Sequence, residues 1–191
     1  MPSAAPLLTL ASVSPRRREL LGQIGVAHVV SAADIDETVR PGEAPADYVV
    51  RMACAKARAV QERGTHLPVL AADTIVVIDG LILGKPRDRA DGMAMLGRLS
   101  GRVHQVLTAV ALASAGGIAF RVSTSEVRLR AVTPAECAAY WESGEPRDKA
   151  GGYAIQGRGA LFIEHLSGSF SGVMGLPLYE TGQLLAAAGV L

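Results

Sequence analysis

Apolar and polar positions change their period several times along this chain. "PLLTLAS" at 6–12 is a short continuous apolar run, as a buried strand presents, and it feeds into "PRRRELLGQIG". There Leu20, Leu21 and Ile24 recur at spacings that fit one helical face, with Ser14 placed as N-cap, Pro15 at the first helical position, and Gly22 and Gly25 supplying the end. "HVVSAADIDET" predicts a strand giving way to a loop, and "RPGEAPADYVVRMACAKARAVQERG" a turn and a long helix that ends at Gly64. The strongest strand signal is "LPVLAADTIVVIDG", where Asp79–Gly80 predicts a hairpin into "LILGKP". "RDRADGMAMLGRLSG" predicts a helix with Asp88 as cap and Gly101 just past its end. Two long strands follow in "VHQVLTAVALASAGGIAFRVSTSEVRLRAV", joined at Ala115–Gly117. Thr133, Pro134 and Glu136 then spell a capping box for a helix closing at Gly144. A glycine-dense stretch at 148–177 precedes a final helix from about Leu178. Hairpins mixed with crossovers predict an α/β fold with a mixed sheet and flanking helices. No repeat or linker divides residues 1–191, which read as one domain.

Composition narrows the ligand. At 191 residues and 49% hydrophobic, the chain can bury a substantial core. Its net charge of +1 offers no global basic field for duplex nucleic acid, and 4% aromatics leave few platforms for stacking single-stranded bases. A small ligand is expected, with no nucleic acid. No apolar run reaches the length of a membrane span and the start lacks a secretory pattern, so the expectation is a cytoplasmic protein that does not engage membranes. In that setting Cys54 and Cys137, far apart inside predicted helices, read as reduced, buried thiols and not as a disulfide or metal pair.

Several residues break the apolar pattern. Arg16, Arg17 and Arg18 fill the first turn of a helix, where each cation is disfavoured by roughly 0.3–1 kcal/mol. Either an anion is meant to arrive there, or the turn is a solvated surface with acidic neighbours. Asp73 and Thr74 interrupt "VLAADTIVVI"; a buried carboxylate needs a cation, a metal, water or backbone donors. Lys56 falls with Val49, Ala53 and Val60 within about 60° on a helical wheel, so it either snorkels to solvent or reaches a pocket. Lys85 sits in "GLILGKP", which is not a phosphate-binding P-loop, because the spacing is a residue short and Pro86 stands where Ser or Thr should hold magnesium. His28, His66, His104 and His165 have no paired ligand spacing. Gly151, Gly152, Gly157 and Gly159 lack a dinucleotide-binding context, but they would permit close backbone approach to a ligand, and Gln156 among them has donors and acceptors for a base edge. Arg16, Arg17, Lys56, Lys85 and Lys149 would surround a polyanion, with Asp73 and Glu37 holding a divalent cation, a set suited to metal-assisted phosphoanhydride hydrolysis.

"LASVSPRRRELL", "AKARAV", "AADTIVV…LGKPRD", "LSGRVHQVLTAV" and "DKAGGYAIQGRGALFIEHLSGSFSGVMGLPLYET", spread in order over residues 8–185, resemble the Maf family of nucleoside triphosphate pyrophosphatases. The "DKAGGYAIQG" form resembles the branch acting on dTTP and UTP. The resemblance implies an elongated α/β fold similar to inosine triphosphate pyrophosphatases, with two lobes around a cleft, and cleavage of a triphosphate to monophosphate and pyrophosphate with Mg²⁺ or Mn²⁺ as cofactor. It implies Asp73 as proton acceptor; Arg16, Thr74 and Gln156 in base choice; Ser14, Arg17, Lys56 and Lys85 on phosphate; and Glu37 with Asp73 on metal. It also associates the chain with removal of non-standard nucleotides and restraint of cell division, and a homodimer is admitted. Alternatives are a pyrophosphatase for another, modified nucleotide and a nucleotide-binding regulator of division without turnover. One departure is Gly172, where relatives commonly carry Asn, so a contact from that loop is expected to be missing.

Overall fold

The structure, a computed structural model, describes residues 5–191. Strand β1 (Leu8–Leu10), helix α1 (Pro15–Gln23) and strand β2 (His28–Val30) form a parallel crossover unit. Helix α2 (Pro45–Gln61) leads to β3 (Val69–Ile78), which lies parallel to β1 on its other side, with Leu10 opposite Leu70. Asp79 and Gly80 both adopt positive φ, at 53° and 75°, the geometry a two-residue hairpin demands, and β4 (Leu81–Leu83) returns antiparallel on β3. After α3 (Arg89–Leu99), β5 (Val103–Ser114) and β6 (Gly117–Leu129) form the long hairpin, and β5 runs antiparallel to β3 with Asp73 opposite Ala109 and Thr74 opposite Thr108. Helix α4 (Pro134–Glu142) is followed by short 3-10 turns, then by β7 (Ile163–Ser167), α5 (Phe170–Met174) and α6 (Leu178–Ala187). The sheet is mixed, in the order β2-β1-β3-β5-β6-β7, with β4 on the far end of β3.

Local signals hold at most of these boundaries. Asp88 accepts the Asp91 N–H at 2.8 Å, and Thr133 and Glu136 form the reciprocal capping box. Ser14 is the exception. It occupies the N-cap position of α1, yet its side chain accepts nothing from the helix, and its own N–H donates to Ser12 Oγ at 3.2 Å. Gly22 lies inside α1, and only Gly25, at φ 71°, belongs to the exit. Cys137 is buried as expected, whereas Cys54 is only half-buried; both are free thiols.

Alternation along β3 decides where the core lies. Val69, Ala71, Ile75 and Val77 pack on α2, while Leu70 and Ala72 pack on the opposite face with α1 and α6. Further along that second face, Val76 and Ile78 join a separate cluster with Leu96 of α3, Cys137 and Tyr140 of α4, and Phe162. Thr74 falls at the seam between the last two clusters. The free edge of β3 carries β1 at Val69 and Leu70 and β4 from Val76 onward, so no strand pairs there at Asp73 and Thr74. That gap in the sheet edge opens onto a cleft. No helix among the described residues is long and apolar enough to cross a membrane.

Candidate active site

The gap at Asp73 opens into a cleft of about 710 Å³, and its wall includes Ser14, Arg16 and Arg17, Glu37, Lys56, Asp73 and Thr74, Lys85 and Gln156. Every site residue that the family resemblance implies therefore faces one space. Its floor is set by strand parity, because Asp73 shares the α2 face of β3 while Thr74 points to the other.

On the α2 side, the apolar stripe that carries Val49, Ala53 and Val60 also carries Lys56, which is 9% exposed. Lys56 does not snorkel out. Its Nζ donates to Asp73 Oδ1 at 2.6 Å and lies 2.8 Å from Glu37 Oε1, so one ammonium gathers two carboxylates. Asp73 is buried and Glu37 stands at the mouth with half its side chain exposed. The Tyr48 hydroxyl, about two turns earlier on α2, donates to the Glu37 carbonyl at 2.9 Å and pins that loop. Burial, reinforced by the charges of Asp73 and Glu37, pushes the Tyr48 hydroxyl up to about 12, so it stays a donor. Burial would raise Glu37 too, but the Lys56 hydrogen bond and the charges of Lys56, Lys85 and Arg17 outweigh it and hold the carboxyl below its usual range.

On the α1 side, Arg17 reaches across the seam. Its Nε donates to the Gly175 carbonyl at 2.7 Å, and its other nitrogens lie 3.3 Å from Ser12 Oγ and Thr74 Oγ1. Thr108 Oγ1, 3.0 Å from Thr74 Oγ1 and 2.7 Å from the Gly172 carbonyl, extends this chain to α5. Arg16 faces the segment after α4, where Asp148 and Glu145 supply the nearest negative charges, and its buried Nε has no hydrogen-bond partner. Among the described residues neither arginine forms an ion pair. Burial lowers both guanidinium pKa values, the mark of cations taken from water without full compensation. Arg18 is exposed and outside the cleft, so two arginines of the three turn inward.

The third wall is the segment after α4. Gly151 N–H donates to the Gly84 carbonyl at 3.0 Å, which brings Lys85, Lys149 and Gln156 to one rim. Lys149 pairs with its neighbour Asp148. The glycines here serve the protein's own packing: a Cβ on Gly151 would lie 2.9 Å from Val76 Cγ2, and one on Gly159 would lie 2.3 Å from the Ala154 carbonyl. That corrects the expectation of backbone approach to a ligand. Gly172 needs a correction as well. It is not part of the cleft wall, and a side chain there would start 3.1 Å from Ser123 Oγ and Ser169 Cβ, against β6.

Sequence reasoning did not single out Ser12, Tyr48, Asp148 or Tyr153, which also line the cleft. Tyr48 was open to discovery, since it lies eight residues before Lys56 on the same stripe. Tyr153 carries no such signal; its hydroxyl lies 2.6 Å from His104 Nε2, a partner from a distant strand. Among the described residues no group of three or more His, Cys, Asp or Glu stands together as a metal cage. Asp73 and Glu37 nonetheless present two carboxylates at one point, and Mg²⁺ is ordinarily held by one or two carboxylates with substrate phosphates completing its shell. The hard oxygen donors fit such an ion.

The family model described as Maf-like protein matches residues 7–188. A Bordetella parapertussis protein named dTTP/UTP pyrophosphatase is 53% identical, over 97% of this chain and 94% of its own. A Nitrosomonas europaea protein of the same name is 52% identical, over 98% of this chain and 97% of its own. Among solved structures, the Staphylococcus aureus Ham1 protein aligns with a TM-score of 0.40 and 14% identity, over 64% of this chain and 71% of that one.

Proposed function

The chain belongs to the Maf-like family, and from that premise we propose that it hydrolyses dTTP and UTP to the nucleoside monophosphate and pyrophosphate. The observation that carries this reading is the Asp73–Lys56–Glu37 cluster, buried at Asp73 and Lys56, beside two arginines without anionic partners in one cleft. A triphosphate supplies the missing negative charge, with Arg17, Lys56 and Lys85 along it and Ser14 at the start of α1 donating its hydroxyl. A helix N-terminus favours phosphate in its own right.

Asp73 accepts a proton from water as its oxygen bonds to the α-phosphorus. The α–β anhydride bond breaks, and its electron pair leaves on the pyrophosphate oxygen. Lys56 holds the Asp73 carboxylate in place, and the cationic groups stabilise charge growing on the leaving group. Asp73 and Glu37 would hold a divalent cation such as Mg²⁺ or Mn²⁺, which neutralises phosphate charge and lets a nucleophile approach. Arg16, Thr74 and Gln156 face the base.

A panel of triphosphates with each product quantified tests this. Monophosphate and pyrophosphate are expected in equal amounts, fastest with UTP and dTTP, and activity should stop with chelator and return with Mg²⁺ or Mn²⁺. Orthophosphate and a diphosphate as primary products would overturn it.

A further inference from the structure

Gln156 immediately precedes a 3-10 turn, Gly157–Phe162, at the position where Ser, Asp or Asn would fold its side chain back onto the first free N–H groups. The Gln156 amide does not do this. The cap comes from outside the turn. Glu145 Oε2 accepts the Arg158 N–H at 2.9 Å and Oε1 accepts the Gly159 N–H at 2.9 Å. Oε1 also accepts the Tyr140 hydroxyl at 2.7 Å, and that hydroxyl in turn accepts the Ala154 N–H at 3.1 Å. One hydroxyl–carboxylate pair thus grips the backbone two residues before Gln156 and again two and three residues after it.

The neighbouring sequence is fitted to this grip. Gly157 has φ 67°, and a Cβ on it would lie 2.5 Å from Glu145 Oε2. A Cβ on Gly159 would lie 2.6 Å from the Tyr140 hydroxyl. The Tyr140 ring is itself held edge-on to Phe162 at 5.2 Å between centroids. Burial would raise the Glu145 carboxyl, but the Tyr140 hydroxyl and the two backbone donors hold it below its usual range, so it grips as a carboxylate at neutral pH.

We propose that Tyr140 and Glu145 are specificity-determining positioning residues, which cap the turn in place of Gln156 and so leave its amide free and fixed for the base. The inference rests on Gln156 as base reader. Neither residue lines the cleft, and both act through the backbone on either side of Gln156.

The test is kcat and KM for UTP and GTP in wild type, Tyr140→Phe, Glu145→Gln, Gln156→Ala and the Tyr140→Phe/Gln156→Ala double variant. Tyr140→Phe keeps the ring against Phe162 and loses only the hydroxyl, so it decides the matter even if Glu145→Gln folds poorly. Both single clamp variants should cut the UTP-over-GTP ratio of kcat/KM by about tenfold, through a raised KM for UTP. Gln156→Ala should cut the preference at least as far as either clamp variant, and adding Tyr140→Phe to it should change the ratio no further. If only Gln156→Ala shifts the ratio, the clamp is overturned and the base reader stands. If Gln156→Ala leaves the ratio unchanged, both fall. An equal loss on UTP and GTP in the clamp variants would mark a merely structural pair and also overturn the proposal.

Discussion

A lysine only 9% exposed needs its charge answered, and Lys56 has it answered twice, by Asp73 and by Glu37. The cluster therefore keeps one carboxylate charge in excess, poised toward the cleft. Asp73→Asn keeps an oxygen for Lys56 to donate to and removes both the proton acceptor and that excess charge. The expected outcome is an unchanged fold, checked by circular dichroism, with turnover of UTP lower by about 10²–10⁴-fold. Turnover near the wild-type rate would show that the proton goes elsewhere. Asp73 and Lys56 were legible in the sequence because each interrupts an apolar period, and a buried charge must have a partner. Glu37 was not legible that way. It stands in a loop beside Asp34 and Asp36, where no periodicity separates an acid that meets Lys56 from one that meets water, and it was marked only as a carboxylate to share a cation with Asp73. All three arginines of the first turn raise the same electrostatic question, yet at roughly 100° per residue three successive side chains cannot share one face; Arg16 and Arg17 enter the cleft and Arg18 is exposed.

Elements whose signal is local emerged where the pattern put them: the long strands, the Asp79–Gly80 hairpin, and the helices capped by Asp88 and Thr133. The stretch from 145 to 162 did not, because its turns are held by tertiary partners such as Glu145 on Gly159 and Gly84 on Gly151, which no short-range pattern records. Helix α3 separates the two kinds of information within eleven residues. Gly97 is exposed with open space where a Cβ would go, so Gly97→Ala should stabilise the protein by up to about 1 kcal/mol through helix propensity alone. Gly92 has the same propensity cost, but a Cβ there would lie 2.4 Å from the Trp141 ring of α4. Gly92→Ala should therefore destabilise by about 1–3 kcal/mol as the α3–α4 contact is forced apart. Urea unfolding of the two variants checks the opposite signs; a stabilised Gly92→Ala would mean that Trp141 yields freely.

Across the whole molecule, the cleft and the core meet at His104 of β5. Its ring is 2% exposed, lies edge-on to Tyr153 at 5.3 Å, and leaves Nδ1 without a partner. A protonated imidazole would have to bury a second N–H donor with nothing to accept it. Burial accordingly pushes its pKa down from 6.5 to about 4. Between those values the unfolded chain binds a proton that the folded one refuses, so stability falls as pH drops from 6.5, and below about 4 this group contributes no further loss. The decline from this one residue is about 1.5 kcal/mol between pH 6.5 and 5. Glu37 and Glu145, whose folded pKa values are depressed, work in the same direction but in a lower window: their contribution is full above the ordinary carboxylate range near 4.5 and is lost as pH falls below it. The two windows separate the causes. Urea unfolding of the wild type should show stability declining from pH 6.5 downward, whereas His104→Gln, which places a neutral hydrogen-bonding group beside Tyr153, should hold level until about pH 5 and then decline with the carboxylates. Parallel curves for the two proteins between pH 6.5 and 5 would mean that His104 takes up its proton in the folded state, and that the wall of the cleft at Tyr153 tolerates the charge.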